Sequence, residues 1–180
     1  LEDERLLIKR LTDKNTQNEA FRVLVSRYKK PLYKHLRTLL LDHEDTNDVL
    51  QNSFIKVFQN IDKFKGDSKL FSWIFRIATN EALTFLKQKA LKKQLSYDEL
   101  SEFLVEQLQE DDLYSGDEIQ ILLQKALVRL PEKQQLVFKM KYYEQLDYQT
   151  ISDILETSVG ALKASYHHAV KKIELFLKDH

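Results

Sequence analysis

The sequence has no cysteine, and among its 180 residues only three glycines, two prolines and one tryptophan. Without cysteine there is no disulfide framework and no thiolate metal site, which suits a reducing cytoplasm. So few helix breakers, in a chain whose apolar residues recur near every 3.6 positions and never alternate, predict an all-α protein. No apolar run reaches membrane-spanning length, and the N-terminal stretch Leu1–Arg10 is too charged for a secretory signal, so a soluble cytoplasmic protein without membrane insertion is expected. There is no glycine-rich phosphate loop, and His43-Glu44 lacks the second histidine of a zinc-protease helix. The expectation is therefore a non-enzyme with no catalytic residue, no metal, no cofactor and no small-molecule substrate.

What is present is unevenly distributed. The 28 basic and 28 acidic residues cancel, but residues 1–93 carry 19 Lys/Arg against 12 Asp/Glu, residues 94–118 none against nine, and residues 119–180 nine against seven. A basic part and a weakly basic part joined by an acidic segment predict two modules that can each approach a polyanion, separated by a tether that avoids it. With 43% hydrophobic residues, both parts have material for a core.

The most informative stretch is FKGDSKLFSWIFRIATNEALTFLKQKALKK, residues 64–93, which combines five aromatics and seven Lys/Arg with two acids. Beyond the Gly66 break, with Ser68 as N-cap, a helix places Leu70, Phe71, Ile74, Ile77, Ala78 and Phe85 on an apolar face. Lys69, Trp73, Arg76, Asn80 and Lys87 then fall in one row on another face. Such a row can hold phosphates while a base stacks or pairs with the amide, but taken alone it is read better as an amphipathic helix with a solvated basic side, Trp73 completing the core edge.

Upstream, a short helix over 3–12 precedes a longer one opened by Thr16 and Glu19 at capping-box spacing, which Pro31 should kink or divide. A third helix buries Val49, Leu50, Phe54, Val57, Phe58 and Ile61 and leaves Asp48, Gln51, Asn52 and Lys56 outside. Residues 94–118 read as a mobile acidic linker, with transient helix around Leu100–Leu108. Period resumes at Ile119 and stops at Pro131. Two short helices then follow, Tyr148–Leu155 capped by Asp147 and one capped by Ser158, with a turn at Glu156 and Thr157. On the last helix Val159, Leu162, Tyr166, Ala169, Val170, Ile173 and Leu177 share one face while Ala161, Ala164, Ser165, His168 and Lys171 lie opposite, small residues and donors that would let it enter a major groove. From spacing alone, a helix-turn-helix and a structural helical hairpin fit equally, and Glu156 stands where such turns usually carry glycine.

Taken together, the segment Asp48–Lys87 resembles region 2, and Ala126–Ile173 resembles region 4, of extracytoplasmic-function sigma factors, minimal members of the bacterial sigma-70 family. The resemblance implies two small helical domains, residues 1–92 and 119–180, joined by an acidic linker at 93–118. It implies core RNA polymerase and promoter DNA as partners, and an anti-sigma factor as inhibitor. Asp48, Gln51 and Asn52 match the face that docks on the polymerase clamp, although an acid is commoner where Asn52 stands. Phe64 and Asn80 match positions lining the pocket for a flipped minus-10 base, with Lys63, Lys65, Lys69 and Arg76 holding nearby phosphates. Ala161, Lys163, Ala164, Ser165, His167, His168, Lys171 and Lys172 match the face toward the minus-35 element; arginine is common in the family at the positions of Ser165 and His168. Two other readings compete: a helical protein-interaction adaptor with merely solvated basic faces, and a stand-alone helix-turn-helix regulator, which leaves residues 64–93 unexplained.

Overall fold

The structure is a computed structural model that describes residues 3–180, so the first two residues of the charged stretch Leu1–Arg10 lie outside the described residues. Nine α-helices and two 3-10 turns make up the described residues, without a strand. None of these helices is long and apolar enough to cross a membrane. The chain divides into two compact units, Leu1–Ala82 and Leu83–His180.

In the first unit, α1 (Glu4–Thr12), α2 (Gln17–Leu40), α3 (His43–Asn60), a 3-10 turn (Ile61–Lys63) and the first half of α4 (Leu70–Lys92) enclose a core of Leu7, Leu11, Leu24, Leu36, Ile61, Ile74 and Phe75. Each such side chain contributes about 1.5 to 3 kcal/mol by leaving water. Several local readings differ from the sequence expectation: Ser68 lies two residues before the first residue of α4, and Phe58, expected in the buried stripe of α3, is 36% exposed. Thr16 forms no capping box with Glu19: its hydroxyl donates to the Arg10 carbonyl at 2.9 Å, while Glu19 pairs with Arg10 at 3.5 Å. Pro31 does not divide α2, which runs unbroken until Leu41 ends it in the left-handed region at φ 61°. The buried stripe of α4 is rotated, comprising Leu70, Ile74, Phe75, Ala78, Ala82, Leu86 and Ala90, whereas Phe71, Ile77 and Phe85 are half-buried.

The second unit contains the end of α4, α5 (Tyr97–Gln107), a 3-10 turn (Leu108–Glu110), α6 (Glu118–Leu127), α7 (Glu132–Tyr142), α8 (Tyr148–Leu155) and α9 (Val159–Lys178). Leu123, Leu127, Leu130, Phe138, Ala169 and Ile173 form its core. Ile119, expected on the inner face of α6, is 78% exposed in the first turn of that helix. A polar chain crosses the core edge: Gln124 donates to the Tyr143 hydroxyl at 3.0 Å, which donates to Gln120 at 3.2 Å.

The acidic stretch departs most from expectation. Much of it is helix, started by a full capping box in which the Ser96 hydroxyl accepts from the Glu99 N–H and the Glu99 carboxylate accepts from the Ser96 N–H. Leu100, Leu104, Val105 and Leu108 are buried, and burial, with the negative charges of Glu132 and Asp98, pushes the Tyr97 hydroxyl up to about 12. Charge alone suggested disorder, but the leucines at every fourth position supply an apolar stripe that this composition argument ignores. Leu104→Ala should therefore destabilise the second unit by about 2 to 4 kcal/mol, read by chemical denaturation; a free tether would show no change. Limited proteolysis should cut within 111–117, where the chain is irregular and Leu113 is exposed, and spare 97–108.

Lys139, only 4% exposed on α7, has its ammonium pushed down to about 8 by burial. Below pH 8 the folded state carries that buried charge at full cost; above it the folded lysine loses its proton while the unfolded chain keeps one until about 10.5. Stability of the second unit should thus rise by about 2 kcal/mol between about pH 8 and about pH 10, and Lys139→Met should abolish the rise. Denaturant melts across that range check it.

Candidate nucleic-acid interfaces

Three outward faces emerge from the way the helices bury their apolar stripes. The first lies on α3. Asp42 caps the helix by accepting from the Asp45 N–H at 2.8 Å, and Val49, Leu50, Phe54 and Val57 turn inward. Asp48, Gln51 and Asn52 are consequently exposed together. Between them stands Ile55, 48% exposed, seven residues beyond Asp48 and three beyond Asn52. Sequence reading missed it, although its position on the polar side of the wheel was available.

The second face begins where α3 unwinds through Ile61–Lys63, whose final turn is closed by the Phe64 N–H donating to the Ile61 carbonyl at 3.1 Å. Gly66 follows at φ 78°, a conformation costly for any residue with a Cβ, and this lets the chain double back into α4. The Phe64 ring comes to rest on Trp73, with centroids 5.3 Å apart and planes tilted 54°. Both rings are half-buried, so Trp73 is at once a core-edge residue and the platform that fixes Phe64. Lys63, Lys65 and Lys69 are exposed around this pair, Arg76 is half-buried one turn on, and Asn80 is exposed at the far end of the row. Seven residues of helix separate Trp73 from Asn80, about 10 Å along the axis. Phe64 and Trp73 therefore meet in contact, while Asn80 stands further along the same row.

The third face belongs to α8 and α9. Asp147 accepts from the Thr150 N–H at 2.7 Å, and Ser158 from the Ala161 N–H at 3.3 Å, so both caps occur where the sequence places them. Glu156 links the two helices in the left-handed conformation, φ 52° and ψ 44°, its N–H donating to the Ser152 carbonyl. The tight turn is thus made with glutamate in glycine's customary place, at a local steric cost. Leu162, Ala169 and Ile173 anchor α9; Ala161, Lys163, Ala164, His167, His168, Lys171 and Lys172 are exposed and Ser165 is half-buried. A cluster not foreseen from sequence sits beside them, with the Lys141 and Lys163 ammonium groups 4.6 and 5.7 Å from the centre of the Tyr148 ring. Tyr148 in turn packs edge-on to Tyr166 at 6.5 Å. Three helices contribute to that cluster, and no local sequence pattern signals it.

A basic-aromatic row on one unit and a helix-turn-helix on the other define a bimodular helical protein built to meet nucleic acid. The family description "Sigma-70 region 2" matches residues 24–91, and "Sigma-70, region 4" matches residues 120–173. Similar proteins include the ECF RNA polymerase sigma factor SigW of Bacillus subtilis, 26% identical over 98% of this chain and 99% of that one. The ECF RNA polymerase sigma-E factor of Haemophilus influenzae is 28% identical over 95% of each chain. Among solved structures, CnrH in complex with the cytosolic domain of CnrY has a TM-score of 0.69 at 19% identity, covering 98% of this chain and 97% of that one. RpoE of Bartonella quintana, in complex with the anti-sigma factor NepR, has 0.63 at 18%, covering 88% and 96%. At such identities these two likenesses speak for the fold. The chain belongs to the sigma-70 family, as an extracytoplasmic-function RNA polymerase sigma factor.

Proposed function

We propose that this transcription initiation factor, which has no catalytic chemistry of its own, binds core RNA polymerase through the α3 face and reads promoter DNA with the other two. In this reading Asp48, Gln51 and Asn52 dock on the polymerase clamp, with Ile55 adding an apolar contact at their centre. Phe64 and Asn80 receive a base extruded from the non-template strand of the minus-10 element, while Lys63, Lys65, Lys69 and Arg76 hold the neighbouring phosphates. Ala161, Lys163, Ala164, Ser165, His167, His168, Lys171 and Lys172 face the minus-35 element. Because Ser165 and His168 replace the common arginines, guanine is not read there by a guanidinium fork, and the upstream sequence preference differs accordingly. Lys141, Tyr148 and Lys163 suit a backbone phosphate beside that site.

The functional modules in this reading run over 1–92 and 119–180, with 93–118 between them. The factor works in the cytoplasm, and an anti-sigma factor masks its polymerase-binding faces until a signal arrives. The observation that carries the proposal is the Phe64 ring held on Trp73 at the head of a row of cations ending in an amide. Extrusion of a base costs a few kcal/mol, and a held aromatic with an amide can offset much of it.

Phe64→Ala and Asn80→Ala should leave core polymerase binding intact. On a premelted template each should lose about 1 to 3 kcal/mol of affinity, with loss of discrimination at one non-template position. The adaptor reading expects Phe64→Ala to lower the melting temperature alone and Asn80→Ala to be silent. Bubble-template transcription beside a thermal melt separates the two; unchanged base preference in both folded variants contradicts the assignment.

A further inference from the structure

Two charges in the first unit are out of place. Lys56 is the single Lys/Arg of α3, a helix that otherwise carries Glu44, Asp45 and Asp48. Glu81 is the single acid of α4, whose other charges are Arg76, Lys87, Lys89 and Lys92. The fold brings these two exceptions together: the Lys56 ammonium donates to Glu81 Oε1. The Lys56 side chain is 52% exposed but that of Glu81 only 18%, so the carboxylate is largely covered while its partner reaches over it from α3.

Glu81 adjoins Asn80, at the end of the row proposed to receive the extruded base. An uncompensated carboxylate there would repel the phosphates on either side of that base. As a clamp alone, a pair this exposed is weak, because water and salt screen it and two long side chains must be ordered. Its larger consequence is for the field outside α4. With Lys56 in place the carboxylate is compensated; without it an unpaired negative charge stands next to Asn80 on a helix whose other charges are all positive.

We propose that Lys56 is a positioning residue for promoter opening, neutralising Glu81 so that the Asn80 end of the row accepts the non-template strand. The proposal rests on the minus-10 reading of this face. It requires no direct contact between Lys56 and DNA, and it assigns Glu81 no favourable role in binding.

The test uses the full chain bound to core polymerase, titrated with a fluorescein-labelled premelted duplex from a promoter that it transcribes, from about 50 to about 300 mM KCl. Lys56→Met should weaken binding about three- to tenfold at the lowest salt, with the difference shrinking as salt rises. Adding Glu81→Gln should restore wild-type affinity, and Glu81→Gln alone should bind at least as well as wild type. Rescue in the double variant is the readout that a purely mechanical pair would not give. Wild-type affinity of Lys56→Met, or a double variant as weak as Lys56→Met, overturns the proposal. Should Lys56→Met fail to fold, Lys56→Gln carries the same test. Phe64→Ala and Asn80→Ala run alongside: if they bind normally while Lys56→Met is weak and rescued, the electrostatic role stands and the base-pocket reading falls.

Discussion

The rotation of α4 about its own axis is the constraint on which the first unit depends. It is set by contacts with α2. The buried His35 ring shares a 2.7 Å hydrogen bond with the Thr79 hydroxyl, which itself donates to the Phe75 carbonyl at 2.6 Å. His35 also lies 5.0 Å from the Phe75 ring, which stacks on Phe71 at 3.9 Å, and Phe71 meets Tyr28 at 6.3 Å. A buried hydrogen bond with an unsatisfied partner costs about 1 to 3 kcal/mol, so this arrangement tolerates little slippage. Once Phe75 and Thr79 point inward, Asn80 is left exposed and Trp73 and Arg76 half-buried on another side of α4. The face proposed to meet DNA is thus a by-product of how the core packs.

The second unit solves a similar problem with local chemistry. Two side-chain caps and one left-handed residue fix α8 against α9, and Leu162, Ala169 and Ile173 hold the latter in place. The opposite side of α9 is then left with small residues, histidines and lysines. Within this unit the acidic helix keeps its carboxylates outward and its leucines inward, so the charge segregation seen along the chain becomes segregation in space.

Features governed by neighbours in sequence were legible in advance. The bounds Tyr148–Leu155, the Asp147 and Ser158 caps and the burial of Val49, Leu50, Phe54 and Val57 on α3 each depend on residues within one turn. Features decided by competition were not. Thr16 had an alternative acceptor in the Arg10 carbonyl, and Glu19 had Arg10 itself. Ser96 and Glu99 formed the box that Thr16 did not. Composition misdirected the reading of α5, because net charge says nothing of where leucines fall. At the candidate site, the periodic row was visible, but the Phe64–Trp73 contact, the Tyr148 cluster and the Lys56–Glu81 pair arise between elements that sequence leaves unplaced.

The central claim is that one non-template base leaves the stack to meet Phe64. Its most direct test replaces Phe64 by a photoreactive phenylalanine analogue in the polymerase-bound chain and irradiates it on promoter DNA, followed by mapping of the crosslinked nucleotide. The account predicts a crosslink confined to one position of the non-template strand and absent on duplex that cannot open. Crosslinks scattered along both strands, or formed only within the protein, would contradict it.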